Sequence, residues 1–236
     1  MRGMRLGLVL AGAVLLSACN MVISNEPMLT RGPDSPMMKP GIWVDATEED
    51  CEYDAASAPD GWPECADPAI VAEDGRFFTW DKQSQSWKAV QMVLGSGDPI
   101  VVQAELPREL TGGNPMAPRF IYLAMRATDT DADGLITAIE TWMVYCGPVE
   151  EKGEGEESVE NLDLEAAMAD AVTKEPFEGL TVVQGNCIAE DVAAIENAAA
   201  LSESMDKESE DGIGGARWLR AADDVDLAEP EASGEG

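Results

Sequence analysis

Histidine is absent from this 236-residue chain. No imidazole is present to activate a serine or cysteine nucleophile or to hold zinc, so Ser-His, Cys-His and His-ligated metal mechanisms are excluded within the chain. Basic residues are scarce, 15 Lys+Arg against 46 Asp+Glu, for a net charge of −31. Such a surface repels phosphate backbones and anionic lipid, which excludes nucleic acid as a partner. Its bland origin is adaptation to saline surroundings, where charge is screened within a Debye length of about 8 Å. With carboxylates this abundant, a chance pair of acids carries no specific sign of glycan hydrolysis. The chain is expected to be non-catalytic. An uninterrupted apolar run from Leu6 to Leu16 is conspicuous. Its length falls short of the roughly 20 residues a bilayer-spanning helix needs.

What is present begins with that run. Arg2 and Arg5 precede it and Leu16-Ser17-Ala18-Cys19 ends it, the layout of a cleaved export signal: basic, apolar, then small residues. These residues resemble the lipobox of bacterial lipoproteins. The resemblance implies cleavage before Cys19, diacylglycerylation of its thiol and acylation of the new amino terminus. Several acyl chains on one residue make a stable anchor, where a single chain gives only marginal binding. In that family's sorting rule an aspartate after the cysteine favours inner-membrane retention. This chain has Asn20 there, so the expected location is the bacterial cell envelope, lipid-anchored in the outer membrane and facing the periplasm. Loss of Arg2 and Arg5 with the signal takes the charge from −31 to −33.

Lipidation of Cys19 leaves four cysteines, Cys51, Cys65, Cys146 and Cys187. An even number in an oxidising compartment reads as two disulfides. Three pairings are open. Cys51–Cys65 and Cys146–Cys187 are favoured, because the first brackets one Pro/Asp/Gly-rich loop and the second ties two separated core segments.

Along the chain, residues 20–40 are proline-rich without sustained periodicity and read as a tether. Strand-like runs follow at 41–44, 76–80, 87–94 and 100–106, the later ones separated by the polar turn 81–86 and by Gly95-Ser96-Gly97-Asp98-Pro99. They predict two successive hairpins. Residues 110–119, with two glycines and two prolines, form a loop. Further β-formers occupy 120–127, 135–146 and 180–183. Asn161 caps an expected helix over 162–172, and the apolar spacing of Ile188, Val192, Ile195, Ala199 and Ser202 predicts a second over 188–205, with Leu201 adding bulk. Residues 216–220 read as an amphipathic closing segment whose Trp218 is expected to dock on the body.

The expected class is therefore α+β: mainly an antiparallel β meander or small sheet, one or two helices near the C-terminal half, and two disulfides. The expected organisation is a signal peptide at 1–18, a lipidated flexible tether at 19–40, one β-rich domain at 41–220 with a mobile acidic insert near 149–160, and a disordered acidic tail at 221–236.

One stretch offers ion chemistry. Residues 129–140, DTDADGLITAIE, resemble the EF-hand calcium loop. The resemblance implies Ca²⁺ held by the side chains of Asp129, Asp131, Asp133 and Glu140 and by the carbonyl of Leu135, with Gly134 making the sharp turn. The rival reading is a β-hairpin. Both flanks are rich in β-formers, and Asp133-Gly134 can take the positive φ such a turn uses. On strands of period two, Glu140 lies too far from the turn to close a loop. The hairpin is the favoured expectation, and the functional expectation is an envelope lipoprotein with a structural or interaction role, attached to the membrane through Cys19 and engaging an envelope protein partner. A calcium-binding lipoprotein is the alternative.

Overall fold

A computed structural model describes residues 20–33, 35–47, 51–106, 118–148, 175–183, 186–207 and 214–227. These hold twelve strands and one α-helix: β1 (Val22–Ser24), β2 (Gly41–Asp45), β3 (Ala69–Val71), β4 (Phe77–Asp81), β5 (Ser86–Val90), β6 (Met92–Leu94), β7 (Ile100–Glu105), β8 (Phe120–Thr130), β9 (Ile136–Met143), β10 (Leu180–Val183), β11 (Asn186–Ala189), α1 (Val192–Lys207) and β12 (Gly214–Arg220). The described residues are mostly sheet, with their one α-helix in the C-terminal half, and disulfides join Cys51 to Cys65 and Cys146 to Cys187. No helix among the described residues is long and apolar enough to cross a membrane.

Period-two alternation in the sequence is what lets these strands bury two faces at once. The sheet runs β10-β11-β1-β8-β9-β12-β2-β3-β4-β5, with β7 on the other edge of β8 and β6 on β7. Every pairing is antiparallel except β1 with β11. β5 and β6 are separated by Gln91 alone; β5 pairs β4 and β6 pairs β7, and the Gln91 carbonyl accepts from the Glu105 N–H at 2.9 Å. The sheet thereby curls around one apolar interior. Trp43, Val71, Val102, Met125 and Ile139 from five strands meet there, with Phe77, Met92, Leu123 and Trp218 packed against them.

The opposite face of β8 carries Tyr122 and Ala124 into a second core, shared with Trp142, Val144 and the α1 residues Ile195, Ala198 and Ala199. A third patch, Ile42, Ile70 and Phe78, lies on the outer face of β2, β3 and β4. Gly41 lets β2 run close to β12. Its φ is +135°, and a Cβ there would lie 2.3 Å from the Arg220 carbonyl.

Several expectations need correction. Residues 20–33 and 35–40 are not a tether. β1 is an interior strand between β11 and β8, and the stretch after it straps the barrel-like body. The Met28 and Leu29 N–H groups donate to the buried Gln103 Oε1 at 2.7 and 2.9 Å, while Met38 enters the interior. Val22 and Ile23 suffice for a strand because their neighbours supply the ladder and the apolar surroundings, a tertiary gain invisible in a short proline-flanked run.

The C-terminal helix begins at Val192, and Ile188 belongs to β11. Asp191 sets that start, its Oδ1 accepting from the Ala194 N–H at 2.9 Å. Leu201 is 43% exposed, so it adds no core bulk. Residues 216–220 lie inside β12, a strand between β9 and β2. Residues 221–227 do not belong to the disordered tail expected from 221, because Ala222, Val225 and Leu227 pack over Ile42, Ile70 and Phe78; residues 228–236 fall outside the described residues. The insert near 149–160 and the helix over 162–172 fall outside the described residues, as does Cys19.

Candidate functional site

The acidic stretch of 129–140 forms the β8–β9 hairpin. Gly134 takes φ +79° in the turn, in open space. Asp131 organises it: its Oδ1 accepts from the Asp133 and Leu135 N–H groups, both at 3.0 Å, and its Oδ2 meets Lys39 Nζ at 3.1 Å. The lysine, foremost, and the two amides hold the Asp131 carboxyl below the usual carboxylate range. Asp129 Oδ2 accepts from Thr137 Oγ1 at 3.0 Å.

The ligand set implied by the calcium-loop resemblance is not brought together. The Leu135 carbonyl accepts from the Asp131 N–H at 2.9 Å and so serves the hairpin. Glu140 stands opposite Arg126 on the β8–β9 ladder, four residues beyond Ile136, or about 13 Å of strand from the turn at 3.3 Å per residue. An EF-hand needs its twelfth residue to fold back over the first five, which a paired strand forbids. Among the described residues no cluster of three or more Asp, Glu, Cys or His groups is arranged to hold a metal ion.

The open end of the curled sheet offers a different site. Where β2 ends and β3 and β12 begin, a cavity of about 280 Å³ opens beside β4 and β9. Trp43, Phe77, Ile139 and Met38 supply its apolar wall; Asp45, Asp67, Thr79 and Thr141 supply polar groups. Barrel mouths of this kind are common ligand sites, apolar inside with a few polar groups to orient what enters. Asp45 Oδ1 is committed to the Thr47 N–H and Oγ1, both at 2.6 Å.

Asp67 sits in the left-handed region, φ 34°. Partial desolvation by the surrounding protein raises its carboxyl pKa, Lys82 opposes that, and the charges of Asp45 and Glu64 add to the rise. The lining contains no lysine, cysteine or histidine to activate a hydroxyl. Its chemistry is acceptance of hydrogen bonds and attraction of positive charge beside an aromatic wall. Sequence reasoning missed this site because five strands contribute to it and no two lining segments share a motif.

The disulfide cysteines are brought together as favoured: Cα–Cα 5.6 Å for Cys51–Cys65 and 5.8 Å for Cys146–Cys187. The second joins the segment after β9 to β11, beside β1. No protein-family model matches this chain, and no curated protein or solved structure matches it either.

Proposed function

We propose that this chain is a lipid-anchored protein of the bacterial cell envelope with a non-catalytic, structural or interaction role. The observation that carries the reading is Leu16-Ser17-Ala18-Cys19 directly after a short apolar run with two preceding arginines. The two disulfides support it, since such bonds persist in oxidising compartments. Under this reading Cys19 carries the lipid, the outer membrane holds the anchor, and the disulfide-tied body engages an envelope protein or a small ligand. The mouth between β2, β3, β9 and β12 is the surface best suited to that engagement. It has an apolar wall and acidic groups, a combination that favours a partner presenting a basic or amine-bearing group on an apolar stem.

The test is direct. Intact mass of the mature protein is expected to begin at Cys19 with acyl mass attached, and Cys19→Ser is expected to abolish that mass and remove the chain from the washed membrane fraction. Retention of the Cys19→Ser variant in washed membranes, unlipidated, overturns the reading.

A further inference from the structure

Resting on the lipoprotein reading above, we infer that the anchor has no slack and that the end of the sheet carrying the β1 start and the β10 end is a bilayer-apposed face, with Val182 and Val183 seated at the lipid boundary.

The first described residue after Cys19 is already built into the fold. Asn20 is 5% exposed. Its carbonyl accepts from the Cys146 N–H at 2.6 Å, and its Nδ2 donates to the Gly147 carbonyl at 3.2 Å. Met21 bridges to Tyr145, and the Val22 N–H donates to the Val144 carbonyl at 3.0 Å. The Cys146–Cys187 disulfide locks the segments on either side. Consecutive Cα atoms are about 3.8 Å apart, so an acylated Cys19 is held within one residue of this clamp. A lipid there cannot enter the bilayer without bringing this part of the body to the headgroups.

A separate observation marks the same place. Four large hydrophobic side chains are exposed among the described residues: Met37, Val182, Val183 and Leu201. Two of these are consecutive on β10, the strand that ends the sheet. Val22 is aligned with Cys187, and Cys187 with Val182. Val182 is therefore two strands from Val22, roughly 10 Å at 4.8 Å per strand. Because β10 runs antiparallel to β11 and β11 runs parallel to β1, the last residue of β10, Val183, lies at the end where β1 begins. Exposed valines 37% and 49% accessible are unfavourable in water and favourable at an acyl boundary. A body of net charge near −33 is repelled by anionic lipid, so the occupant is a neutral zwitterionic surface.

The test uses the full mature lipoprotein in phosphatidylcholine vesicles, read by amide hydrogen exchange with mass spectrometry. It is compared with a form carrying ten Gly/Ser residues inserted between Cys19 and Asn20, and with Val182→Ser/Val183→Ser. Exchange over 180–187 is expected to be at least about fivefold slower in the parent than in the inserted form, with the 131–135 turn unchanged as an internal reference. The double serine variant is expected to lose most of that protection while keeping the exchange of β8 and β9, which reports that it is folded. Equal exchange in parent and inserted forms, with acyl mass verified on both, overturns the inference and leaves the lipoprotein reading standing. Absence of acyl mass on Cys19 removes both.

Discussion

Asp67 and Asp131 show how two carboxylates on one chain act with opposite sign. Asp67 is partly desolvated, faces like charges and sits at φ 34°. Asparagine tolerates the left-handed region well and carries no charge. Asp67→Asn is expected to raise the unfolding midpoint by about 1–3 °C at pH 7. Because the folded pKa is raised, the native state binds the extra proton. The handicap of aspartate is absent below its unfolded value of about 3.9 and complete once pH passes the folded one. Thermal melts from pH 3 to pH 7 check this, and a gain at pH 7 that persists undiminished at pH 3 contradicts the electrostatic part.

Asp131 is the reverse case. Its pKa is depressed by Lys39 and two turn amides, so its contribution is present above about pH 3.9 and fades as pH falls through the lower folded value. Asp131→Ala is expected to lower the midpoint by about 2–4 °C at pH 7 and by less at pH 3. Millimolar Ca²⁺ is expected to shift neither the parent nor the variant, since the hairpin holds Glu140 away from the turn. A saturable calcium-dependent rise in the parent alone would restore the ion reading.

At the scale of elements, α1 and β9 are coupled through one face. Ile195 is fully buried against Trp142 and Val144, and the Trp142 indole N–H donates to the Ala199 carbonyl at 2.8 Å. Ser202 Oγ accepts from the Tyr145 N–H at 2.9 Å and donates to the Ala198 carbonyl at 2.7 Å. Arg126 reaches from β8 to Glu203 with both guanidinium nitrogens and lies 5.5 Å from the Trp142 ring. Ile195→Ala is expected to cost about 2–4 kcal/mol in urea unfolding. Leu201→Ala, on the exposed side of the same helix, is expected to stay within about 0.5 kcal/mol. Similar losses for both would place the helix differently against the sheet. The period of the apolar residues made the helix legible in sequence, together with Ile195, Ala199 and Ser202 on its inner face. Its start was not legible, because Ile188 fits either a helix turn or an edge-adjacent strand, and only pairing with β1 and β10 decides between them.

For the whole molecule, the two disulfides differ in what they hold. Cys51–Cys65 spans 14 residues and Cys146–Cys187 spans 41. In the chain-entropy model these are worth roughly 3 and 4 kcal/mol. The longer one also ties β11 to the 144–146 segment that bonds residues 20–22. The Cys146→Ala/Cys187→Ala variant is therefore expected to lose more stability than Cys51→Ala/Cys65→Ala, and to speed exchange in β1 and β11 while β4 and β5 keep theirs. Equal losses in both, measured by urea unfolding under oxidising conditions, would show that β1 is held by its ladder alone. The parallel β1–β11 pairing joins the first described strand to one more than 160 residues later, with Val22 aligned to Cys187.

Local chemistry was readable directly from the residues: the absence of histidine, the acidic balance, the pairing of Cys51 with Cys65, the hairpin turns and most strand runs. Each depends on neighbours in sequence or on counting. Tertiary structure decided what depends on residues far apart. It drew β1 and the strap out of an apparent tether, because Gln103 and the Val144–Cys146 backbone supply the bonds that short stretch lacks by itself. It placed β12 between β9 and β2, made the cavity from five strands, and pulled Glu140 from the acidic turn by pairing β9 with β8. Non-local hydrogen bonds and shared burial set these outcomes, and neither leaves a mark on a short window of sequence.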